Sequence, residues 1–358
     1  MGMQSVVITL KALAISSSTR SERGVVCIIL NDTTVTGVHT YTRLKNVVES
    51  YSAANLAIIK RCFNKYGVKT LKVACYNSAA TEPETIADAL TILDGVKFNY
   101  LAAPTAETAD NALIKTFIST QREGNNILAK AVLSNHVGDY EGIINFINNS
   151  ITMEGTTYTG KEFCVDVACL IATCGITSSI TNMAIDGVTA VDSVGTDLDA
   201  LVDAGKLFLF YDNDLDAIIF SRGVNSKTTI GATEKESLKK IRIVEILDMI
   251  RDDFKVTFKA DYQGRVENSL DNKNLLISAL NTYLRTLSKQ GLLSKTEESL
   301  MKLDVDAIAS YIETNKGIDC TEMTDEEILA IGTDDKVFVT GIVYPEDAME
   351  DLTLVLNY

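Results

Sequence analysis

The chain of 358 residues is long enough for two or three domains, and because 46% of its residues are apolar it can bury a sizeable core. Its 33 Lys and Arg residues against 48 Asp and Glu residues give a formal net charge of −15, which repels nucleic-acid phosphates and anionic lipid surfaces. We therefore expect neither a nucleic acid nor a membrane as a partner.

The N-terminal residues have the alternating pattern of a β-strand followed by a polar tether. Apolar side chains alternate between Ile8 and Ala14, and residues 16–23 are a run of Ser, Thr, Arg and Glu. No basic residue precedes the apolar run, so this segment does not have the pattern of a secretory signal. We predict an N-terminal strand arm over residues 1–23.

Strands and helices then alternate over residues 24–226. Strands are predicted at residues 25–30, 70–76, 100–103, 127–133 and 143–146, and helices at residues 53–66, 83–93 and 108–121. Further along, a hairpin is predicted at residues 150–160, an apolar helix at 161–173, and a strand pair at 206–211 and 217–222. Strands separated by helices indicate an α/β fold with a mostly parallel sheet and flanking helices.

The C-terminal third has the pattern of long helices and then of strands. One helical face is formed by Ile243, Ile246, Leu247, Ile250, Phe254 and Phe258, and another by Leu276, Leu280, Leu284 and Leu287. We predict a helix-rich α+β domain over residues 227–335. Residues 336–358 are predicted to be a C-terminal strand and arm, so that extended β-strand arms lie at both termini.

One segment approximates the phosphate-binding P-loop. Gly155-Thr-Thr-Tyr-Thr-Gly160-Lys161 matches the pattern G-x-x-x-x-G-K, but Glu162 stands where Ser or Thr would hold Mg²⁺. A hairpin turn that leads into a helix with an acidic first turn explains the same residues. We favour the hairpin, and the alternative is a nucleotide-binding α/β enzyme that uses residues 155–161.

The spacing of Asp212, Asp214 and Asp216 is that of a calcium loop. Such a loop requires Gly and Glu at the positions that Ala217 and Gly223 occupy. A solvated turn is the better interpretation of these residues.

The remaining candidate ligands also lack the context of a site. The seven cysteines lie mostly in apolar runs, as reduced cytoplasmic thiols do, and Cys164, Cys169 and Cys174 are spread around a helix axis. His39 and His136 lie in no triad or zinc motif. We therefore expect no catalytic residue, no metal and no cofactor.

Three further motifs follow one another in the C-terminal half. They are Arg222-Gly-Val-Asn-Ser-Lys-Thr-Thr229, then Lys239-Lys-Ile-Arg-Ile-Val-Glu-Ile-Leu-Asp248, and then Phe258-Lys-Ala-Asp-Tyr-Gln-Gly-Arg-Val-Glu-Asn268. In order and spacing they resemble R-x-V-N-[ST]-x-T, I-R-x-V-x-x-x-D and Y-x-G-[KR]-V-x-N of the contractile tail sheath proteins of bacteriophages and phage-tail-like bacteriocins. The matching positions are Arg222, Val224, Asn225, Thr228, Arg242, Asp248, Tyr262, Gly264 and Asn268.

The resemblance extends from about Gly24 to the C-terminus. It implies subunits that polymerise as stacked hexameric rings around a tail tube and contract to drive the tube through a target cell envelope. It implies further copies of the chain, the tail tube protein, and baseplate and tail terminator proteins as partners. It also implies synthesis in the bacterial cytoplasm and a mature location in a phage virion tail or a released phage-tail-like particle, without enzymatic activity.

The resemblance further implies that terminal arms complete a sheet on neighbouring subunits, in agreement with the strand patterns at both ends. The arm residues expected to contact neighbours are Val6, Ile8, Leu10, Leu13, Ile15, Leu352, Leu354 and Leu356. Two rival functions would be distinguished experimentally. A nucleotide-binding enzyme would melt at a higher temperature with ATP and Mg²⁺, and a small-ligand-binding protein would stay monomeric at all concentrations.

Overall fold

The computed structural model describes residues 24–357, which form two compact units. The α/β unit comprises residues 24–245 and 348–357, and the helix-rich unit comprises residues 246–347. The predicted N-terminal arm, residues 1–23, lies outside the described residues, and with it lie Val6, Ile8, Leu10, Leu13 and Ile15.

The α/β unit contains twelve strands and five complete helices in its described residues. The strands are β1 Val25–Asn31, β2 Gly37–Tyr41, β3 Thr70–Tyr76, β4 Tyr100–Ala102, β5 Lys130–Ser134, β6 Ile143–Phe146, β7 Ser150–Met153, β8 Thr156–Thr159, β9 Val188–Val191, β10 Lys206–Leu207, β11 Leu209–Asp212 and β12 Ala217–Phe220. The helices are α1 Ala53–Asn64, α2 Ile86–Ile92, α3 Thr108–Glu123, α4 Gly160–Cys174 and α5 Leu198–Asp203.

Seven of these strands form one sheet in the order β10-β6-β5-β4-β1-β3-β2. All neighbours are parallel except β2, which pairs antiparallel with β3 at the edge. Strands β8, β7 and β9 form a small antiparallel sheet, and β11 and β12 form a hairpin. The prediction of a mostly parallel sheet is confirmed.

Both faces of the large sheet are covered, as the sequence predicted. Val26, Ile28 and Leu30 of β1 face a core shared with α1 and α4, whereas Cys27 and Ile29 face a second core shared with α2 and α3. Successive residues of a strand point to opposite faces, so a run of buried apolar residues requires a layer of helices on each side.

A buried ion pair joins two helices on one face of the sheet. Asp166 of α4 is completely buried and accepts hydrogen bonds from Nε and Nη2 of Arg61 of α1 at 2.7 and 2.9 Å. A bidentate guanidinium satisfies both carboxylate oxygens, which is what burial of this charge requires.

The helix-rich unit contains α6 Ile241–Thr257 from residue 246 onwards, a π-helical turn Phe258–Tyr262, α7 Leu270–Lys289, β13 Leu300–Leu303, α8 Val305–Lys316, α9 Asp325–Ala330 and β14 Val339–Ile342. Strands β13 and β14 pair antiparallel. One of its cores is built from Leu303, Ile308, Ile312, Cys320 and Ile328. Among the described residues, no helix combines the length and apolar character that crossing a bilayer demands.

The two compact units do not coincide with the predicted domains, whose boundaries at residues 227 and 336 stay predictions. Residues 223–245 belong to the α/β unit because they bond to it: the Gly223 amide donates to the Thr181 hydroxyl at 3.0 Å, and the Ser226 amide donates to the Ile143 carbonyl at 2.8 Å. The predicted C-terminal segment 336–358 is divided, since β14 pairs with β13 whereas residues 348–357 return to the α/β unit.

Candidate assembly site

The first motif forms a turn after strand β12, and hydrogen bonds hold this turn to residues 238 and 239. Asn225 is completely buried, and its Nδ2 donates to the Leu238 carbonyl at 2.7 Å while its Oδ1 accepts from the Lys227 amide at 2.9 Å. Its backbone amide donates to the Lys239 carbonyl at 2.8 Å. Only a side chain with both a donor and an acceptor satisfies this position, which explains the Asn of the motif.

A glycine beside this turn permits the close approach of two backbone segments. Gly205 has φ +67°, and a Cβ atom on it would lie 2.9 Å from the Asn225 carbonyl oxygen and 3.0 Å from the Ser226 backbone. Gly is therefore required by both conformation and space. Gly205, which directly precedes strand β10, thus allows this strand to lie next to the first motif.

Asp139 caps the second half of the turn. Its Oδ1 accepts hydrogen bonds from the Thr228 and Thr229 amides at 2.7 and 2.8 Å and from the Thr228 hydroxyl at 3.1 Å. Hydrogen bonds from Thr229 and then Thr228 hold the pKa of this carboxyl below its ordinary value. Thr228 therefore stabilises the turn through a residue that lies 89 positions earlier.

The start of the C-terminal segment is anchored to the same turn by Glu350. Its side chain is 6% exposed, and its Oε2 lies 3.3 Å from Nε of Arg222 and 2.8 Å from Nζ of Lys240. Its Oε1 accepts a hydrogen bond from the Thr181 hydroxyl at 2.7 Å. Arg222 Nη2 also donates to Asp351 at 2.5 Å, but that carboxylate is 80% exposed. Glu350 is therefore the principal fastening point of residues 348–357.

The residues that follow Glu350 are exposed and have no regular secondary structure. Residues 351–357 form neither helix nor strand and are all exposed. The exposed fractions of Leu352, Leu354 and Leu356 are 87%, 67% and 78%. We call residues 351–357 the C-terminal arm. Contiguous exposed apolar side chains of this kind mark interaction surfaces.

The second and third motifs lie in and after helix α6. Arg242 and Asp248 are on this helix and are 8% and 2% exposed. Tyr262 ends the π-helical turn, and Gly264 follows with φ +70°, a conformation that favours glycine. Asn268 Nδ2 donates to the carbonyls of residues 334 and 336 at 2.7 and 2.8 Å, so this motif fixes a later loop of the helix-rich unit.

The P-loop-like segment adopts the hairpin that the sequence favoured. Gly155 lies in the turn between β7 and β8 with φ +77°, and the following four residues are the paired strand β8. Thr159 and Glu162 form the N-terminal capping box of α4, and Lys161 Nζ bonds to Glu107 at 2.7 Å. A phosphate-binding loop needs converging backbone N–H groups, and here strand pairing aligns that backbone in a ladder instead.

The other candidate ligands do not converge either. Asp212 Oδ1 accepts from the backbone amides of Asp214 and Leu215, as in a capped turn. Within the described part of the chain, no group of three or more His, Cys, Asp and Glu side chains has the arrangement of a metal site. His39 Nδ1 lies 3.2 Å from Glu49, and burial lowers the pKa of His136.

Comparisons with known proteins identify the family. Residues 79–226 match the phage tail sheath protein central domain, and residues 233–357 match the phage tail sheath C-terminal domain. The chain is 34% identical to the tail sheath protein of Clostridium phage phiCD119 over 99% of this chain and 98% of that one. The chain belongs to the phage tail sheath family.

Solved sheath structures share the fold of this sheath protein. The sheath tail protein from Desulfitobacterium hafniense is similar with a TM-score of 0.72 at 18% identity, covering 92% of this chain and 94% of that one. The helical sheath of the anti-feeding prophage in its contracted state is similar with a TM-score of 0.68 at 14% identity, covering 94% and 93%. These structures agree with the α/β architecture predicted from the sequence.

The motif marked one side of the anchor of this sheath protein, but not as an anchor. Arg222, Val224, Asn225 and Thr228 were named only as motif positions; in the structure Arg222 faces Glu350, and Thr228 bonds to Asp139. Glu350, Lys240, Thr181 and Asp139 were not predicted. The sequence shows an acidic residue shortly before an alternating apolar run, but the burial of the Glu350 side chain depends on tertiary contacts that the sequence does not show.

Proposed function

We propose that this protein polymerises as stacked hexameric rings around a tail tube and that the polymer contracts to drive the tube through a target cell envelope. The role is structural and involves no catalysis. The proposed partners are further copies of the chain, the tail tube protein, and baseplate and tail terminator proteins. Synthesis in the bacterial cytoplasm is followed by incorporation into a virion tail or a released phage-tail-like particle.

The observation that carries this proposal is the exposed apolar arm that begins at a buried anchor. Fully burying one Leu side chain contributes roughly 1.5–3 kcal/mol, so three Leu side chains contribute about 6 kcal/mol. Backbone hydrogen bonds formed by adding a strand contribute about 0.5–1.5 kcal/mol each. Ordering the arm costs about 1–2 kcal/mol per residue, so the arm stabilises an assembly only when several contacts form together.

The two-stranded sheet of β13 and β14 is the proposed recipient of an arm from a neighbouring subunit. Within the described residues each of these strands pairs only with the other, which leaves two outer edges. Leu300 and Ile342 on these strands are 43% and 58% exposed. Two-stranded sheets are marginally stable in water, and an added strand supplies hydrogen bonds and apolar contacts. The N-terminal arm residues, from Val6 to Ile15, are proposed to act in the same way.

The experiment uses the alternation of side chains between the two faces of a β-strand, which the arm must adopt if it is added to a sheet. A variant with L352S, L354S and L356S removes one face of the arm, and the matched control T353S, V355S and N357S alters the other face. We expect striated tubes in negative-stain images of the wild type and the control and only dispersed subunits from the triple-Leu variant. Equal tube yields from the two variants would contradict the role of the Leu face.

Circular dichroism of both variants provides the folding control. Because residues 351–357 are exposed in the described part of the chain, the two variants should melt within about 1 °C of the wild type, as surface substitutions do. Loss of tubes with unchanged melting would then report on assembly alone. If the wild type forms no tubes even when a tail tube or baseplate is present as a template, the proposed function itself is contradicted.

A further inference from the structure

The α/β unit has a cleft beside strand β10, which lies at one edge of the large sheet. The cleft has a volume of about 540 Å³ and lies between helix α5, strand β11 and the C-terminal segment 350–351. Its apolar wall includes Leu198, Val202 and Phe210. Clefts of this size accommodate a short peptide segment.

The charged side chains that line this cleft are acidic on balance. Four carboxylates stand against one guanidinium, a formal charge of −3, and these residues are Asp199, Asp203, Glu350, Asp351 and Arg222. Glu350 is already paired with Arg222 and Lys240, and Asp351 with Arg222. The cleft as a whole therefore favours an incoming cation.

Two of these carboxylates are free to pair with such a cation. Asp199 and Asp203 are exposed, and in the described part of the chain no cationic side chain lies within 4.0 Å of either. They are four residues apart on α5, so both lie on the same side of this helix. An incoming segment with two cations could pair with both.

Exposed cations lie at the opposite edge of the same sheet. Residues 42–48 directly follow strand β2, and we call them the basic segment. Arg43 and Lys45 of this segment are exposed, and among the described residues no carboxylate lies within 4.0 Å of either. The adjoining Glu49 is already paired with Nδ1 of His39 at 3.2 Å. Val48 is 81% exposed, so the segment presents two cations and one apolar side chain.

The sheet keeps the cleft and the basic segment of one chain apart. Strands β2 and β10 are the outermost of its seven strands. Neighbouring strands lie about 4.8 Å apart, so about 29 Å separates the two edges. One chain therefore cannot place its own basic segment in its own cleft, whereas a second copy can.

We propose that this cleft binds the basic segment of a second copy of this chain. Arg43 and Lys45 of one copy pair with Asp199 and Asp203 of the next, and Val48 contacts the apolar wall. Because the two surfaces differ, the contact is heterologous, and its repetition produces a ring or a helix of copies. The inference rests on the proposed self-assembly and assigns two surfaces of the α/β unit to one of its contacts.

Carbodiimide coupling tests the contact directly, because it joins a lysine amine to a carboxylate that touches it. Sheaths are assembled from equal amounts of unlabelled and ¹⁵N-labelled chain, coupled, digested and analysed by mass spectrometry. We expect Lys45 joined to Asp199 or Asp203 in peptide pairs with one labelled and one unlabelled member. Intact sheaths that lack such pairs, including sheaths in which the two aspartates couple to Lys11 instead, would overturn the inference and leave the proposed function in place.

Charge exchange provides the second test. The variant Arg43→Glu with Lys45→Glu and the variant Asp199→Lys with Asp203→Lys each bring like charges together. Each should raise the subunit concentration needed for assembly at least tenfold, since like charges across an interface are strongly unfavourable. A chain with all four substitutions has opposite charges at the contact again, and the net charge of the wild type, so it should assemble at close to the wild-type concentration.

The control is Glu82→Lys with Glu322→Lys, which changes the net charge as the cleft variant does but at exposed positions outside the cleft. This control should assemble as the wild type does, and circular dichroism should show that every variant is folded. Assembly of the two charge-reversed variants at the wild-type concentration would refute the contact, as would a folded four-substitution chain that fails to assemble. Failure of the wild type to assemble would refute the proposed function and this inference with it.

Discussion

Replacing Glu350 by Gln tests whether a buried charge cluster holds the C-terminal arm to the α/β unit. Gln keeps the size of the side chain and an oxygen for the Thr181 hydroxyl, but it removes the charge that faces Lys240 and Arg222. Hydrogen bonds to charged groups contribute about 1.5–3 kcal/mol each. Lys240 and Arg222 are 23% and 34% exposed, so water partly solvates their charges once the carboxylate is gone. We therefore expect the free energy of unfolding to fall by about 2 kcal/mol.

A double-mutant cycle with Lys240→Met isolates the pair. Lys240 has other contacts besides Glu350, so the single variant alone would not report the interaction. Urea unfolding of the full chain, followed by circular dichroism, should give a coupling free energy of about 1.5–2 kcal/mol between Glu350 and Lys240.

The neighbouring carboxylate provides a matched control. Asp351 also pairs with Arg222 but is 80% exposed, and exposed pairs contribute about 0–1 kcal/mol. The cycle of Asp351→Asn with Arg222→Met should therefore show the weaker coupling. A Glu350–Lys240 coupling no larger than that of the control pair would refute the assignment of Glu350 as the anchor.

Two further predictions concern the α/β unit. Asp139→Asn should cost about 1 kcal/mol at pH 7, because it weakens the acceptor for the Thr228 and Thr229 amides. Since the folded pKa of Asp139 is lowered, the carboxylate stabilises the fold above the unfolded pKa of about 4 and loses this effect as the pH falls through the folded pKa. The difference between wild type and variant in urea unfolding should shrink below about pH 4, and a difference that grows there would contradict the cap. Asp166→Ala should cost about 3–5 kcal/mol, because it leaves Arg61 without its carboxylate, and the joint replacement R61M with D166L should cost less; a joint replacement that costs more would show that the ion pair itself stabilises the fold.

The elements of the large sheet were predictable where local pattern decides them. Strands β3 and β6 have the predicted bounds, because each is a short apolar run that is buried on both faces. Strand β2 was missed, since only one of its five residues is buried and its pairing with β3 at the sheet edge depends on tertiary contacts. The predicted strand 206–211 is divided between two sheets, a distinction that hydrophobic pattern does not encode.

The candidate site was predictable only on the side that a motif marks. Arg222 and Asn225 are positions of the motif, but the anchoring carboxylate that faces Arg222 is Glu350, near the other end of the chain, and the partner of Thr228 lies 89 positions earlier. Contacts between residues so far apart are created by the fold. The compact α/β unit extends past residue 227 to Glu245, because residues 223–226 form backbone hydrogen bonds with that unit, whereas the predicted domain boundary at residue 227 stays a prediction.

The return of residues 348–357 to the α/β unit sets an order of events during synthesis. Thr181, Arg222 and Lys240 leave the ribosome early, yet the carboxylate that joins them is translated 110 residues after Lys240. The whole helix-rich unit emerges in between, so a nascent chain has its docking turn long before it has the arm that this turn holds. The C-terminal segment is consequently fastened to the α/β unit last, when both units have already had time to fold.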